Sequence, residues 1–177
     1  MVEVRTGHTS ALAAGELAAI RRLLDEAFDG DFSDDDFDHS LGGMHALVLD
    51  GDELIAHGAV VLRRLLHNGE SLRTGYVEGV AVVAHRRREG HASVVMDALE
   101  RVVQGGYELG ALSASNSAAQ LYAGRGWQCW PGTASVVSPT GVQRLPDEEG
   151  AIYLLPVTAR LDPTADLACD WRDGDVW

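Results

Sequence analysis

A strand that runs straight into a basic, glycine-bearing turn and then a helix constrains this chain more than any other feature. The stretch is Gly75 to Gln104, GYVEGVAVVAHRRREGHASVVMDALERVVQ. Tyr76 to Val83 is rich in β-branched residues with small residues between them, which is the pattern of a buried strand. From Gly90 to Gln104, the side chains of Ala92, Val95, Met96, Leu99, Val102 and Val103 fall along one helical face. Arg86, Arg87, Arg88, Glu89 and Gly90 lie between the two. The first turn of a helix has backbone N–H groups with no internal partner, and its dipole end is positive, so a phosphate or pyrophosphate fits such a corner. Glycine lets the backbone approach, and arginines add charge. On local pattern alone, a plain helix N-terminus beside a solvated charge run fits equally well.

Composition narrows the class. With 177 residues and 46% apolar content, one globular domain spanning 1–177 with a sizeable core is expected. No apolar run is long enough to span a bilayer, and Met1 to Ala14 lacks a secretory pattern, so the expected location is cytoplasmic, with no membrane partner. Cys129 and Cys169 are the only cysteines, and neither has metal-ligand spacing, so both read as reduced thiols and no metal is expected. The net charge is −13, and every Lys-or-Arg position is Arg. Such a chain should repel nucleic acid and suit a cationic ligand, although solubility alone would also account for the charge.

Taken in order, Val2 to Thr9 reads as a first strand, and Ala14 to Phe28 as a helix ended by Gly30. In the acidic run Asp29 to Asp38, Ser33 can cap a short helix with Asp36 reaching back. Met44 to Asp50, Glu53 to Leu66 and Leu72 to Val83 read as an antiparallel meander turning at Gly51-Asp52 and at His67-Asn68-Gly69. Arg63 and Arg64 are expected to face solvent. Gly105-Gly106 should stop the long helix. Leu109 to Ser113 is a short strand, and the polar turn from Ser113 to Ser117 can cap a helix over Ala118 to Gly124. Late strands are expected near Trp127 to Trp130 and Ala134 to Val137, then a loop from Pro139 to Gly150, then a last strand from Ile152 to Val157. Leu161 to Trp177 shows no period, but its tryptophans suggest a docked tail.

Two short motifs at this separation carry a resemblance. Arg87-Arg88-Glu89-Gly90-His91-Ala92, directly after Val80-Ala81-Val82-Val83, resembles the R/Q-x-x-G-x-G/A pyrophosphate loop of the GCN5-related N-acetyltransferases (GNAT). Leu121-Tyr122-Ala123-Gly124-Arg125-Gly126-Trp127 resembles that family's downstream L-Y-x-x-x-G-[FW] element. Within the superfamily the chain resembles the aminoglycoside 2′-N-acetyltransferases of mycobacteria and related actinobacteria. The matching segments are Ala27 to Phe32, Leu41 to Leu47, Gly75 to Val82, Leu121 to Trp127 and the tail Cys169 to Trp177. The resemblance covers essentially the whole chain and implies an α+β GNAT fold: a mixed, mostly antiparallel sheet flanked by helices, with splayed strands forming an acetyl-CoA cleft.

The resemblance also implies a chemistry and its residues. An amine attacks the thioester of acetyl-CoA directly, with Glu78 as general base through water, the Val80 amide region at the developing oxyanion, and Tyr122 protonating the thiolate. Val80, Ala81 and Val82 should pair with the pantetheine, and Arg87, Arg88, Glu89, Gly90, His91 and Ala92 should hold the pyrophosphate. Close relatives often place their glycine at the position of Arg88. Aminoglycosides are polyamines, and by resemblance Asp31, Glu78, Gly79, Ser113, Glu148, Asp175 and the Trp177 carboxylate are the candidates to bind one. A homodimer is implied by the relatives. The alternatives are another small polyamine, a cell-wall amine or a protein N-terminus as acceptor, or a non-catalytic module binding acyl-CoA or cationic drug.

Overall fold

The structure, a computed structural model, describes residues 2–177. The residues gather into two compact units: those up to Val61 with Val77–Val102, and Leu62–Tyr76 with Val103–Trp177. Strands β3 (Glu53–His67) and β4 (Glu70–Val82) contribute residues to both.

In the first unit, β1 (Val2–His8) pairs antiparallel with β2 (Met44–Asp50), from Val2↔Asp50 to His8↔Met44. β2 pairs antiparallel with β3, and β3 neighbours β4. Helix α1 (Ala14–Ala27) buries Ile20, Leu23 and Leu24 against Leu47 and Ala81, with Phe32 and Phe37 packed onto that cluster. Each such aliphatic side chain contributes about 1.5–3 kcal/mol when fully removed from water. The expected cap is present: Ser33 Oγ accepts the Asp36 N–H at 3.1 Å, and the Asp36 carboxylate accepts the Ser33 N–H at 2.8 Å, starting α2 (Asp34–His39). Helix α3 runs over His91–Gly106, two residues past the expected stop, and its Val95 and Leu99 press against Gly58 of β3. A Cβ at Gly58 would lie 2.7 Å from Val95 Cγ1, so the helix approaches this closely only over a glycine.

The second unit is built on the strand order β6-β9-β5-β4-β3-β10-β7-β8. Its strands are β5 (Leu109–Ser113), β6 (Gln128–Cys129), β7 (Thr133–Ser138), β8 (Gly141–Arg144), β9 (Ile152–Pro156) and β10 (Asp166–Asp170), with helix α4 at Ala119–Gly124. β4 with β5 and β10 with β7 are parallel, whereas β10 with β3, β5 with β9, β6 with β9 and β7 with β8 are antiparallel. The mixed, mostly antiparallel sheet with flanking helices is the α+β arrangement expected. Among the described residues, the β4–β5 register covers only Thr74↔Leu109 to Tyr76↔Ala111, while β4 itself runs on to Val82.

Several details differ from the expectations, each for a local reason. Arg63 is buried, because beyond Val61 strand β3 alternates with Leu62, Arg64 and Leu66 outward and Arg63, Leu65 and His67 inward. The Arg63 guanidinium is accommodated by Asp170 and by the Tyr76 ring 4.7 Å from its central carbon. The Ser113–Ser117 turn gives α4 no side-chain cap: Ser115 and Ser117 hydroxyls bond each other, and the Ser115 carbonyl receives the Ala118 and Ala119 N–H groups. The Pro139–Gly150 loop contains β8, folded back on β7 from Ser135↔Arg144 to Ser138↔Gly141. Ile152–Pro156 is not the last strand, because the docked tail supplies β10.

Candidate active site

The end of β4 is interrupted where a strand should be most regular. Gly79 has φ +58°, a left-handed value that L side chains rarely adopt and that departs from strand conformation, a local kink in the backbone at this residue. The half-buried Glu78 and Val80 flank it. The Gly79 carbonyl lies 2.9 Å from His57 Nδ1. Ala81 is buried, and Val80 and Val82 are half-buried.

The corner after Val82 is organised by Arg86. Its guanidinium donates to Asp50 Oδ2 at 2.9 Å and to Glu89 Oε2 at 2.8 Å, and the same Glu89 oxygen lies 3.2 Å from His91 Nε2. The Arg86 and His91 contacts together hold the Glu89 carboxyl below the usual carboxylate range. Arg87 turns its Nε toward the Val82 carbonyl at 3.3 Å. Arg88 is exposed with φ +65°, and Gly90 is exposed with φ +89°. The loop thus uses the left-handed region twice before α3 begins at His91, and the arginine at 88 adopts it without the freedom of a glycine. Arg86 belongs to the basic turn but is not among the residues that the resemblance puts on the pyrophosphate. Its partner Asp50 is remote in sequence, so no local motif contains the pair.

The remaining candidates are distributed by element. Asp31 is exposed in the first unit, just past α1. In the second unit Tyr122 is buried on α4, its ring 6.3 Å from both Trp127 and Tyr153. Burial pushes its hydroxyl up to about 12. Ser113 ends β5 and is exposed. Glu148 closes the short turn Pro146–Glu148; its carboxyl is raised by burial first and then by the charges of Asp175 and Asp147. Glu148 and Asp175 therefore feel one another, a pairing that a bound cation would relieve. The buried Trp177 lies 6.5 Å, ring to ring, from Tyr76.

Two fully buried histidines had no place among the expected site residues: His45 on β2 and His57 on β3 bond each other at 2.9 Å. The signal was present: each interrupts an apolar strand, and a buried imidazole requires partners. Among the described residues no group of three or more His, Cys, Asp or Glu side chains is arranged to hold a metal, and no helix is long and apolar enough to cross a membrane.

Comparison with known proteins identifies the family. Residues 8–130 match the family model of the acetyltransferase (GNAT) domain. The chain is 51% identical over 177 residues to an aminoglycoside 2′-N-acetyltransferase of Mycolicibacterium fortuitum, covering 98% of this chain and 91% of that protein. Among solved structures it is similar in fold to a GNAT family N-acetyltransferase of Escherichia coli in complex with CoA, with TM-score 0.67, 17% identity and coverage of 94% and 88% of the two chains. It is likewise similar to a GNAT family acetyltransferase of Brucella melitensis in complex with acetyl-CoA, with TM-score 0.63, 14% identity and 95% coverage of each chain.

Proposed function

The chain belongs to the GNAT acetyltransferase family, and from that premise we propose that it transfers the acetyl group of acetyl-CoA to the 2′-amine of aminoglycosides. The observation that carries this reading is the 51% identity, extending over nearly the whole chain, to an enzyme of that activity. The acidic balance of −13 suits a polycationic acceptor.

In this reading residues 1–177 form one catalytic domain and the amine attacks the thioester directly. Glu78, acting through water, takes the proton that the amine must lose. The Val80 N–H stabilises the developing oxyanion, which matters more in the transition state than in the ground state. Tyr122 protonates the departing thiolate; a hydroxyl pushed up to about 12 stays protonated at neutral pH and can donate. The backbone of Val80, Ala81 and Val82 receives the pantetheine as an added strand. Arg87 to Ala92 and the first turn of α3 receive the pyrophosphate. Asp31, Glu78, Gly79, Ser113, Glu148, Asp175 and Trp177 bind the aminoglycoside, whose ammonium groups offset the mutual repulsion of Glu148, Asp175 and Asp147. We place the reaction in the cytoplasm, where acetyl-CoA is available, in a homodimer, with aminoglycoside resistance as its consequence.

The test is thiol release. Protein mixed with acetyl-CoA and tobramycin should liberate CoA, and kanamycin A, which carries a hydroxyl at the 2′ position, should not support it. Equal rates with the two antibiotics would give the wrong regiochemistry, and no release with either would overturn the acceptor assignment.

A further inference from the structure

The two buried histidines form part of one hydrogen-bonded chain that ends on the kink in β4. Gly79 O lies 2.9 Å from His57 Nδ1, His57 Nε2 lies 2.9 Å from His45 Nδ1, and His45 Nε2 lies 2.7 Å from Thr9 Oγ1. Thr9 Oγ1 in turn accepts the Gly42 N–H at 2.9 Å. Every member belongs to the first unit.

The direction of each bond follows from its fixed end. A carbonyl oxygen can only accept, so His57 Nδ1 carries the hydrogen. In a neutral imidazole the other nitrogen is then an acceptor, so His57 Nε2 receives a hydrogen from His45 Nδ1. His45 Nε2 is left bare and receives the Thr9 hydroxyl. Both rings are neutral: burial, with the neighbouring His8, takes His45 down to about 4, and burial takes His57 down to about 3. The result is a one-way series, Thr9 to His45 to His57 to the Gly79 carbonyl, with both histidines in the Nδ1–H form. The opposite sense would set the bare nitrogen of His57 against the carbonyl oxygen, with two acceptors facing each other.

The surrounding packing fixes the rings. His45 and His57 are fully buried. Gly43 presses its backbone on β3 so closely that a Cβ there would lie 2.1 Å from the Val60 carbonyl oxygen, and its own carbonyl accepts the Thr9 N–H at 3.0 Å. The hydroxyl at the far end of the series is thereby held in place.

A trans peptide sets its C=O and the following N–H in opposite directions. Tying the Gly79 carbonyl to His57 therefore turns the Val80 N–H away from His57. We propose that His57 and His45 are positioning residues for acyl transfer, fixing the Gly79–Val80 peptide so that the Val80 amide is aimed at the oxyanion. This rests on the reading of Val80 given above. It extends the site from Gly79 back through His57 and His45 to Thr9, none of which contacts the reacting groups in that reading.

Substitution separates positioning from packing. His57→Leu fills the volume but removes the donor to Gly79, whereas the amide of His57→Asn can place an N–H where Nδ1–H stood. His57→Leu should lower kcat by about tenfold or more with the dissociation constant of acetyl-CoA little changed, and His57→Asn should recover most of that loss. Equal kcat in the two folded variants would overturn the proposal. Should His57→Leu fail to fold, His45→Phe, which leaves His57 without its outer partner, takes its place and should lower kcat in the same sense; an unchanged kcat would overturn the proposal. A second measurement needs no turnover. Side-chain nitrogen NMR of the wild-type protein at neutral pH should show both histidines neutral with hydrogen on Nδ1, and hydrogen on His57 Nε2 would overturn the proposal. Inactivity of the wild type toward tobramycin would sink the acceptor assignment and leave this NMR result standing on its own.

Discussion

Arg63 donates its Nε proton to Asp170 Oδ1 over 2.7 Å, joining residues 107 positions apart in the chain. Arg63 Nη2 also donates to the Asp170 carbonyl at 2.8 Å, so one guanidinium holds both the side chain and the backbone at the end of β10. The arginine side chain is 4% exposed and the carboxylate 42%, which makes the pair asymmetric: water can still reach the acid but not the base. Asp170→Ala would leave a buried cation uncompensated and should destabilise the protein by about 2–4 kcal/mol, somewhat below the loss for a fully buried pair. Replacing both partners, as Arg63→Met with Asp170→Leu, should recover much of that loss. Urea denaturation of the two single variants and the double variant checks it.

Tyr122 separates chemistry from packing. Its ring is wedged among Trp127 and Tyr153, and Phe keeps that ring. Tyr122→Phe should therefore leave the melting temperature nearly unchanged and lower kcat by about a hundredfold, with acetyl-CoA affinity preserved, because proton donation to the thiolate counts only in the transition state. Thiol-release kinetics together with CoA titration decide it. Unchanged turnover would reduce Tyr122 to a packing residue.

The histidines make a pH prediction with a definite sign. Unfolded, each takes a proton near 6.5; folded, His45 does so at about 4 and His57 at about 3. Above 6.5 both are neutral in either state and contribute no slope. Below it the unfolded chain binds protons that the native one refuses, so stability falls as pH drops from 6.5 toward 4. The slope reaches at most about 1.4 kcal/mol per pH unit for each histidine. Denaturation midpoints measured at intervals from pH 7 to 4 should show the decline, and the His45→Gln, His57→Asn double variant should flatten it.

The loop before α3 gives opposite signs at neighbouring positions. Arg88 has φ +65° with a side chain, and Gly90 has φ +89° without one. Nothing lies within 4 Å of a Cβ built at Gly90, so Gly90→Ala would meet no clash and should still cost about 1–2 kcal/mol from backbone conformation alone. Arg88→Gly should stabilise by up to about 1 kcal/mol, since relief of the left-handed strain is partly offset by a more flexible unfolded chain. Thermal melts of the two variants check the pair of signs.

What could be read from the sequence had local chemistry behind it. The Ser33–Asp36 cap, the turn at Asn68-Gly69 and the apolar face of α3, with Val95, Met96, Leu99 and Val103 buried, are each written within a few residues, and the structure contains all three. What could not be read depended on remote partners. Arg63 looked solvent-facing because nothing near it in the chain announces Asp170. β10 has only Leu167, Ala168 and Cys169 as an apolar run, flanked by Asp166 and Asp170, and such a segment shows no strand period until β3 and β7 border it. His45 and His57 were overlooked for the same reason, because each alone is one polar residue in an apolar strand and only their pairing gives them meaning.

The place of β10 between β3 and β7 has a consequence for synthesis. As the nascent polypeptide leaves the ribosome, β7 and β8 can close as a hairpin early, but the position through which they join β3 stays vacant until Asp166–Asp170 has emerged. Insertion then has to satisfy a parallel neighbour and an antiparallel one together, joining segments far apart in the chain, which is the kind of step that is slow. Until it happens β7 presents an open hydrogen-bonding edge, so the interval before β10 is inserted is when this protein would most need a chaperone.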